Sequence, residues 1–368
     1  MKILCFISDF DGGGAQRSMI NLVGGFHAAG ASVSLIAGRT NGPALRWLHE
    51  GTVVEDLGCR KIRDALFPLA RLITRKKPDV ILSTMVDANI VAFAATRLAR
   101  RHRPVTVLRE TNSHEQRTDL GALRRGLVGV CYRGADAVVA LSSGVREELI
   151  RLYGVHRANA VTIHNPIDLE VMHKTATTFR EQPPMASKIA PLIVAIGRLT
   201  HQKGFDRILR SVARLDGSWT LAILGEGEDR QQLELQAKQL GIEDRVLMPG
   251  FVSDPIQWLV HADVFVLPSR WEGFGHVVVE AMAAGTPVVA FDCPHGPRDI
   301  IEHGESGLLA EADNENDLTT AIHRVLHDST FARRLVSRAY ASIDRFSIAR
   351  ISRDYFEVFE RLLDSRKS

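Results

Sequence analysis

Two carboxylates in one segment of this sequence are spaced to hold a ligand rich in hydroxyl groups. Glu272 and Glu280 lie in SRWEGFGHVVVEAMAAGTPVVAFD (Ser269–Asp292). An ionised carboxylate accepts two hydroxyl hydrogens at once, which suits the vicinal hydroxyls of a ribose or a hexose. If the two residues are considered alone, the simpler interpretation is that Glu272 is a charged loop residue and Glu280 an ordinary residue on a helix surface. The strand, turn and helix predicted around the pair therefore decide between the two interpretations.

Those elements predict an anion site. Val264–Pro268 (VFVLP) predicts a buried strand, and His276–Ala284 predicts a helix that ends at Gly285. Gly273 and Gly275 loosen the chain between strand and helix. Free N–H groups at a helix start point outward, and the helix dipole stabilises an anion there by roughly 0.3–1 kcal/mol. A phosphate fits this position without a metal ion, with one glutamate on either side.

A second group of charged residues follows another predicted strand, Leu192–Ile196. Arg198 comes directly after Gly197, and Lys203 directly before Gly204. Charge-assisted hydrogen bonds from such cations are stronger than neutral ones and suit a diphosphate.

The order of these phrases resembles that of the retaining glycosyltransferases of family four. The phrase EGFGHVVVEAMAAGTPVVAFD, with its ExxxxxxxE spacing, carries the resemblance, and it continues through GPRDIIEHGESGLLA (Gly296–Ala310). Upstream it includes GRLTHQKGFDRIL (Gly197–Leu209) and HNPID (His164–Asp168). The likeness is dense in the second half of the chain and thinner in the first.

The resemblance implies an α/β structure with the GT-B fold, in which two doubly wound Rossmann-like domains face a central cleft. It further implies that Arg198 and Lys203 bind the diphosphate of a nucleotide-sugar donor, that Glu272 positions the sugar and that Glu280 binds the ribose. Catalysis is thus assigned to Glu272, Arg198 and Lys203. Further donor contacts are expected at Gly13, Gly14, Gly250, Phe251, Phe274, Gly275, His276 and Val277.

The first predicted turn, SDFDGGGAQR, allows three interpretations. Asp9 and Asp11 form a DxD, which holds a divalent cation in the other large glycosyltransferase architecture. A dinucleotide fingerprint requires GxGxxG, but Arg17 stands at the third glycine position after Gly12 and Gly14. The third interpretation, favoured by the resemblance, is a glycine-rich loop that contacts the donor phosphate and the acceptor.

The phrase RETNSH (Arg109–His114) follows a predicted strand of the first half. Relatives carry a histidine or an SERN-like phrase here, whereas this chain has Thr111 where an arginine often stands. We expect Glu110, Asn112 and His114 on the acceptor side. A histidine beside a strand end is also often structural, and that alternative stays open.

Strand-like and helix-like segments alternate along the whole chain, which predicts parallel sheets covered by helices. At 368 residues the chain exceeds the usual limit of one core. We predict a first domain over residues 1–168, a linker over 169–190, a second domain over 191–346 and a C-terminal helix over 347–368, which the resemblance implies packs back on the first domain. The thirteen predicted strands are Lys2–Ser8, Ser32–Ala37, Thr52–Leu57, Asp79–Ser83, Val105–Leu108, Ala137–Leu141, Ala160–Ile163, Leu192–Ile196, Trp219–Leu224, Arg245–Met248, Val264–Leu267, Pro287–Phe291 and Gly307–Ala310.

Charge is distributed unevenly between the two halves. Residues 1–180 carry 25 Lys and Arg against 16 Asp and Glu, and residues 181–368 carry 21 against 27. Basic clusters accompany apolar residues, as in LGALRRGLVGVCY (Leu120–Tyr132), which favours contact with an anionic membrane; a solvated basic face is the alternative. Aromatic residues do not alternate with the arginines, so nucleic acid is not an expected partner. The basic clusters comprise Arg71, Arg75, Lys76, Lys77, Arg97, Arg100, Arg101, Arg103, Arg117, Arg124 and Arg125.

Four scattered cysteines without a CxxC pair favour reduced thiols in a cytoplasmic protein. No apolar run approaches the roughly 18 residues that a membrane span needs. We therefore expect a cytoplasmic enzyme, associated with the inner face of the membrane, that needs no cofactor and no metal.

The expected reaction moves a sugar from a nucleotide-diphosphate sugar, UDP- or GDP-linked, to a hydroxyl of a glycan or polyprenyl-linked glycan during cell-envelope polysaccharide synthesis. Two alternatives from other classes remain. A GT-B-like nucleotide-sugar epimerase would use the same residues without an acceptor. A non-catalytic sugar-nucleotide-binding protein would tend to lose the charged residues that this chain retains.

Overall fold

The computed structural model describes residues 1–115, 121–182 and 190–367. They form two compact units: the first from Met1–Ile167 with Phe346–Ser368, the second from Asp168–Arg345. Each unit is a parallel sheet with helices packed against it. None of the described helices combines the length and apolar character that crossing a bilayer requires.

The sheet of the first unit has seven strands among the described residues. In order across the sheet they are β3-β2-β1-β4-β5-β6-β7, and every pairing is parallel. Strand β1, in the interior of the sheet, is buried from Ile3 to Ile7, as expected for a continuous apolar run in a parallel sheet covered on both faces. The bounds are β1 (Lys2–Ile7), β2 (Ser32–Ala37), β3 (Val54–Asp56), β4 (Val80–Thr84), β5 (Val105–Glu110), β6 (Ala137–Ala140) and β7 (Ala160–Thr162).

Helices pack on both faces of this sheet. Their bounds are α1 (Gly14–Ala28), α2 (Leu66–Lys76), α3 (Val86–Leu98), α4 (Ala122–Gly134), α5 (Ser143–Tyr153) and, after the second unit, α14 (Ile348–Asp364). The last helix packs on the first: Phe26 of α1 makes edge contacts with Tyr355, Phe356 and Phe359 at centroid distances of 5.8, 5.3 and 5.7 Å. Helices α2 and α3 enclose a separate core on the other face.

The sheet of the second unit has six described strands in the order β10-β9-β8-β11-β12-β13. The chain runs outward from β8 to β10 and returns to β11, which lies beside β8. Ligands bind doubly wound sheets at the carboxyl ends of the strands where the order reverses in this way. The bounds are β8 (Leu192–Ile196), β9 (Thr220–Leu224), β10 (Val246–Gly250), β11 (Val264–Leu267), β12 (Val288–Phe291) and β13 (Leu308–Ala310).

The helices of the second unit include the predicted one after β11. They are α6 (Leu169–Arg180), α7 (Phe205–Val212), α8 (Arg230–Gln239), α9 (Ile256–Leu259), α10 (His276–Ala284), α11 (Pro297–Ile300), α12 (Glu315–His327) and α13 (Ser329–Ser342). Short 3-10 turns cover Pro43–Trp47, Ile62–Ala65, His201–Lys203, Glu243–Arg245 and Ile343–Phe346. Gly275 and Gly285, on either side of α10, both adopt the left-handed conformation, so the predicted bounds of this helix are confirmed.

The structure contains all thirteen predicted strands, with ends that differ from the prediction by at most two residues. Part of the expected linker, however, is helical. Asp168 caps the start of α6 by accepting the Val171 N–H at 3.0 Å, and α6 belongs to the second unit. The prolines that suggested a linker, Pro183 and Pro184, lie outside the described residues.

Candidate active site

Lys203 and Glu272 form an ion pair at the carboxyl edge of the second sheet. The Lys203 Nζ lies 2.5 Å from Glu272 Oε1, and the Ser269 hydroxyl donates to the same oxygen at 2.7 Å. Lys203 follows β8 and Glu272 follows β11, so the neighbouring positions of these strands bring the two residues together across the sheet edge. The Glu272 side chain is only 6% exposed, which makes a compensating charge necessary.

The backbone after Lys203 approaches β11 too closely for any side chain. Gly204 has a φ of +65°, and a Cβ there would lie 2.3 Å from the Pro268 carbonyl oxygen. Only glycine fits both constraints. The glycine in this phrase therefore brings Lys203 to the end of β11.

Two further contacts hold the Glu272 loop on the Lys203 loop. Arg270 forms hydrogen bonds of 2.7 Å to both carboxylate oxygens of Asp206, at the start of α7. The Gln202 side-chain amide donates to the Trp271 carbonyl at 3.1 Å. Burial opposes the ionisation of Asp206, but hydrogen bonds and charge from Arg270 and Arg210 outweigh it and lower its pKa to about 2.

Arg207, which is buried, contacts the loop that carries Glu272. Arg207 donates to the Pro268 and Ser269 carbonyls at 3.4 Å, pairs with Asp313 and lies 4.1 Å over the Phe291 ring. These contacts satisfy backbone groups at the end of β11 that no strand pairs. The Ser269 hydroxyl is thereby held in position to donate to Glu272.

The start of α10 lies directly after this loop. Gly275 has a φ of +98° and no side chain with which to cap the helix, and the backbone N–H groups of the first turn point out of the helix start. Phe274 is buried and meets the His276 ring edge-on at 5.6 Å. Gly296 packs under the Phe274 carbonyl, where a Cβ would lie 2.4 Å from the oxygen. The helix start is thus fixed next to Glu272, with Val277 in its first turn and Glu280 buried in its second.

Arg198 extends from the end of β8 in a different way from Lys203. It is exposed, and within the described part of the chain its guanidinium has no ion-pair partner. Its positive charge is therefore free to meet an anion beside Lys203.

Gly250 ends β10, which is separated from β8 by β9, and Phe251 follows it. Gly250 has a φ of +89°, and its carbonyl accepts the Gly225 N–H at 2.8 Å. Phe251 is 71% exposed, an unusual position for a large aromatic ring in this unit. Both residues lie at the carboxyl edge of the same sheet as Lys203, and their role as donor contacts stays a prediction.

In the first unit, Gly13 and Gly14 mark the start of α1. Gly13 is the extended residue before the helix and Gly14 its first residue. The Asp9 carboxylate accepts the Gln16 amide at 3.0 Å and the Asp11 N–H at 3.1 Å, while Asp11 pairs with Arg39 at 3.3 Å. Both aspartates of the DxD are therefore engaged locally, in a turn that opens a helix.

Glu110 and His114 are buried together beneath the end of β5. Their Oε2 and Nε2 atoms lie 2.8 Å apart, the Tyr132 hydroxyl donates to Glu110, and the Thr111 N–H donates to it at 2.8 Å. Burial alone would raise the Glu110 pKa, but the charge and hydrogen bonds of these neighbours lower it to about 2. The pair fixes the strand end, since both side chains are enclosed by protein groups.

Glu110 and Asn112 also line a pocket of about 350 Å³ in the first unit. Its wall comes from the residues after β1, β2, β4 and β5, and includes Asp9, Arg39 and Arg60. Carboxylates, guanidinium groups and an amide around a concave surface suit a polyhydroxyl ligand. Among the described residues, His114 is not part of the pocket wall, and its Nδ1 lies 2.6 Å from the Tyr153 hydroxyl.

Several residues that hold these loops were not among the predicted site residues. Partners that lie far apart in the sequence leave no local signal. The segments KGFDR and SRWEG do, however, contain the predicted residues Lys203 and Glu272, and most of the missed residues lie within these two segments. The missed residues are Ser269, Arg270, Asp206, Arg207 and Gln202 in the second unit, and Tyr132 and Glu148 in the first.

The fold is shared with several solved glycosyltransferase structures. Anabaena HepE in complex with UDP-glucose superposes with a TM-score of 0.83 at 22% identity and covers 98% of this chain and 100% of that one. The apo lipopolysaccharide outer core galactosyltransferase WaaB superposes with a TM-score of 0.77 at 21% identity, with 98% and 99% covered. The chain therefore has the GT-B fold that the resemblance implied.

Two family models match successive parts of the chain. Glycosyltransferase Family 4 matches residues 12–171, and Glycosyl transferases group 1 matches residues 178–342. This chain belongs to the family-four glycosyltransferases, a class of EC 2.4 enzymes.

Two similar proteins are named as glycosyltransferases, one of lipopolysaccharide core biosynthesis and one that acts on a lipid-linked glycan. The lipopolysaccharide core biosynthesis glycosyltransferase LpsE of Rhizobium meliloti is 27% identical over 97% of this chain and 98% of its own length. A Campylobacter jejuni N-acetylgalactosaminyltransferase that acts on a diphospho-undecaprenol glycan is 30% identical over 62% of this chain and 61% of its own length. This second match therefore spans less than two thirds of either protein.

Proposed function

We propose that this chain transfers a sugar from a UDP- or GDP-sugar to a hydroxyl of a glycan or lipid-linked glycan, with retention of anomeric configuration and without a metal ion. The observation that carries the proposal is the Lys203–Glu272 pair beside the uncapped start of α10. It sets a cation, a carboxylate and the backbone N–H groups of a helix start around one point of the sheet edge. A sugar diphosphate presents the complementary groups.

Each part has a distinct task in the proposed reaction. As the anomeric carbon becomes oxocarbenium-like, negative charge grows on the leaving diphosphate. That charge is stabilised by Lys203, by Arg198 and by the N–H groups after Gly275. These groups are already in position before the bond breaks and need not move during the reaction. Glu272 orients the sugar through its hydroxyls, and Glu280 binds the ribose. Retention follows from same-face attack assisted by the leaving phosphate, as the family resemblance suggests.

The proposed acceptor is a hydroxyl on a lipopolysaccharide core or a polyprenyl-linked glycan. The names of the relatives support this choice, and the pocket lined by Glu110 and Asn112 supplies a concave polar surface for a sugar. The proposed setting is the cytoplasm at the inner face of the membrane. The four cysteines are free thiols, three of them buried, which agrees with a reducing compartment.

Donor binding is the first test. Melting temperature would be measured with UDP-, GDP- and ADP-sugars, each with magnesium and with EDTA, because a ligand of the native state stabilises it by mass action. One donor class should raise the melting temperature equally under both conditions. A shift that requires magnesium contradicts metal independence, and no shift with any donor contradicts the whole proposal.

Transfer is the second test. Lys203→Ala should lower kcat about 10²–10³-fold, the usual effect of removing one group that stabilises transition-state charge. Lys238→Ala, an exposed lysine of α8 in the same unit, is the matched control and should retain activity. Unchanged transfer by Lys203→Ala contradicts the assigned role. Isomerised donor formed without any acceptor would indicate an epimerase instead.

A further inference from the structure

We propose that Met85 determines acceptor specificity, and that the apolar wall to which it belongs takes a sugar that carries a methyl group, as acetamido and 6-deoxy sugars do. The proposal rests on the proposed function and deepens it, because it names the class of acceptor. Met85 follows β4 and lines the pocket of about 350 Å³ that Glu110 and Asn112 also line.

The backbone of Met85 is strained. Its φ is +76° and its ψ is +143°, at the edge of a region that only glycine ordinarily occupies. Lys77, by comparison, has a φ of +48° and a ψ of +60°, the common left-handed conformation at a helix end. A conformation such as that of Met85 persists only where the surrounding structure enforces it.

Hydrogen bonds on both sides of Met85 enforce this conformation. The Thr84 hydroxyl accepts from the buried Arg109 guanidinium at 3.0 Å, and the Ser83 hydroxyl donates to the Asn89 side-chain carbonyl at 2.6 Å. The Asn89 backbone N–H donates to the Met85 carbonyl at 2.8 Å, and its side-chain amide donates to the Arg109 carbonyl at 3.0 Å. The end of β4 and the first turn of α3 are thereby fixed, and Met85 has to join them.

Core packing does not explain a methionine at this strained position. Met85 is only half-buried, and a glycine would adopt the same backbone conformation without strain. A methionine adds what glycine lacks, a flexible apolar side chain that adapts to irregular surfaces. Because Met85 lines the pocket, that side chain is available to a ligand.

The pocket wall has an apolar side as well as the polar side formed by carboxylates and guanidinium groups. The apolar side comes from the loop after β3, from the 3-10 turn Ile62–Ala65 and from the start of α3, which contacts that turn. Cys59 and Ile62 pack against the core cluster that contains Ala88. A methyl group would be buried favourably here, whereas a hydroxyl in its place would lose its hydrogen bonds to water. The apolar side consists of Cys59, Ile62, Met85, Val86 and Ala88.

The first test measures sugar binding to the purified full chain by titration in saturation-transfer NMR. The probes are methyl glycosides in two matched pairs, N-acetylglucosamine against glucose and 6-deoxygalactose against galactose. In one pair the methyl-bearing sugar should bind at least about fourfold more tightly, the effect of burying one methyl group. The pair that shows the difference identifies the source of the methyl group. Equal binding within both pairs overturns the proposal, as does the absence of binding by all four sugars.

Substitutions of Met85 separate its contact with the sugar from its strain. Met85→Ala and Met85→Gly should both abolish the preference for the methyl-bearing sugar, and Met85→Leu should retain it. Only glycine relieves the strain, so Met85→Gly should melt at a higher temperature than Met85→Ala, the reverse of the usual order of these residues. A preference that survives both Met85→Ala and Met85→Gly overturns the assigned role.

Lys77→Gly is the matched control. It also replaces a residue of positive φ by glycine, but Lys77 is exposed and lies outside the pocket wall given by the described residues. Its sugar preference should equal that of the wild type. A loss of preference in Lys77→Gly would show that the effect of Met85→Gly arises from the backbone and not from the side chain, which also overturns the proposal.

Donor-induced thermal shifts on the same proteins distinguish this proposal from the proposed function. If a nucleotide sugar raises the melting temperature while both glycoside pairs bind equally, the acceptor proposal fails and the transferase proposal stands. If no nucleotide sugar raises it, the transferase proposal fails, and the role of this pocket as an acceptor site fails with it.

Discussion

Arg270 and Asp206 form a two-point ion pair in which both guanidinium nitrogens lie 2.7 Å from carboxylate oxygens. The pair joins the loop that carries Glu272 to the helix that begins just after Lys203. Arg210 also reaches Asp206, at 3.0 Å, so one carboxylate holds two arginines. The geometry of the Lys203–Glu272 contact therefore depends on a side chain that needs no contact with the substrate.

Asp206→Asn should destabilise the second unit in a pH-dependent way. The native pKa of Asp206, about 2, lies below its ordinary value of 3.8, so its carboxylate stabilises the fold above pH 3.8 and loses that effect as the pH falls toward 2. Near neutral pH the variant should lose about 2 kcal/mol of unfolding free energy. Urea unfolding of wild type and variant should give curves that converge on acidification, whereas Asp216→Asn, at an exposed site, should change little. A constant difference across the range would contradict the ionic origin.

Lys203→Ala should lower stability as well as activity. It leaves the nearly buried Glu272 carboxylate without its cation, which costs about 3–5 kcal/mol in comparable buried pairs. Lys203→Ala/Glu272→Gln should recover most of the unfolding free energy, because the uncompensated charge is gone, yet transfer should stay low. A double-mutant cycle compares the wild type, Lys203→Ala, Glu272→Gln and the double variant by denaturant unfolding and by initial transfer rates. Strictly additive stability losses would mean that the two residues are not coupled.

Gly204→Ala should disrupt the site far more than its backbone conformation alone predicts. Gly204 and Gly241 have φ values of +65° and +66°, but a Cβ at Gly204 meets the Pro268 carbonyl at 2.3 Å and one at Gly241 meets nothing within 4 Å. Gly241→Ala should cost only about 1–2 kcal/mol of conformational strain. The two variants would be compared by their melting temperatures and by the rise in melting temperature that a nucleotide-sugar donor induces. Equal losses would show that the close approach to β11 contributes nothing.

Glu148→Gln should loosen the loop after β5. The Glu148 carboxylate accepts the His114 and Glu115 N–H groups, at 2.5 and 2.6 Å, and the Ser113 hydroxyl at 2.9 Å. An amide carries less negative charge for these donors, so exchange of the two backbone hydrogens should accelerate. Glu147→Gln, next in sequence but on the surface, is the control. Hydrogen exchange that is unchanged by Glu148→Gln would refute this role.

Much of the fold could be predicted because its signals are local. The apolar runs of buried parallel strands, and a helix between Gly275 and Gly285, depend on neighbours in sequence. The helix at Leu169–Arg180 also has a local signal, the capping residue Asp168, but its polar composition and the following prolines favoured a linker.

The contacts that shape the site could not be predicted in this way. Arg270 and Asp206 lie 64 residues apart, and nothing in either phrase specifies the other. Arg109 is fully buried and donates to Thr84 at 3.0 Å, although arginine is ordinarily a surface residue. His114 was expected at the acceptor side, and its position in the interior with Glu110 reflects partners on α4 and α5 that only the folded sheet assembles.

The packing of α14 on α1 has a consequence for biogenesis. The ring cluster of Phe26 and Phe359 closes only after the ribosome has synthesised almost the whole chain, whereas the second unit is one uninterrupted stretch. During synthesis the first unit therefore exposes part of its apolar surface until α14 has been made, whereas the second unit is complete by then. The core of the first unit is thus completed by a helix that follows the entire second unit in the sequence.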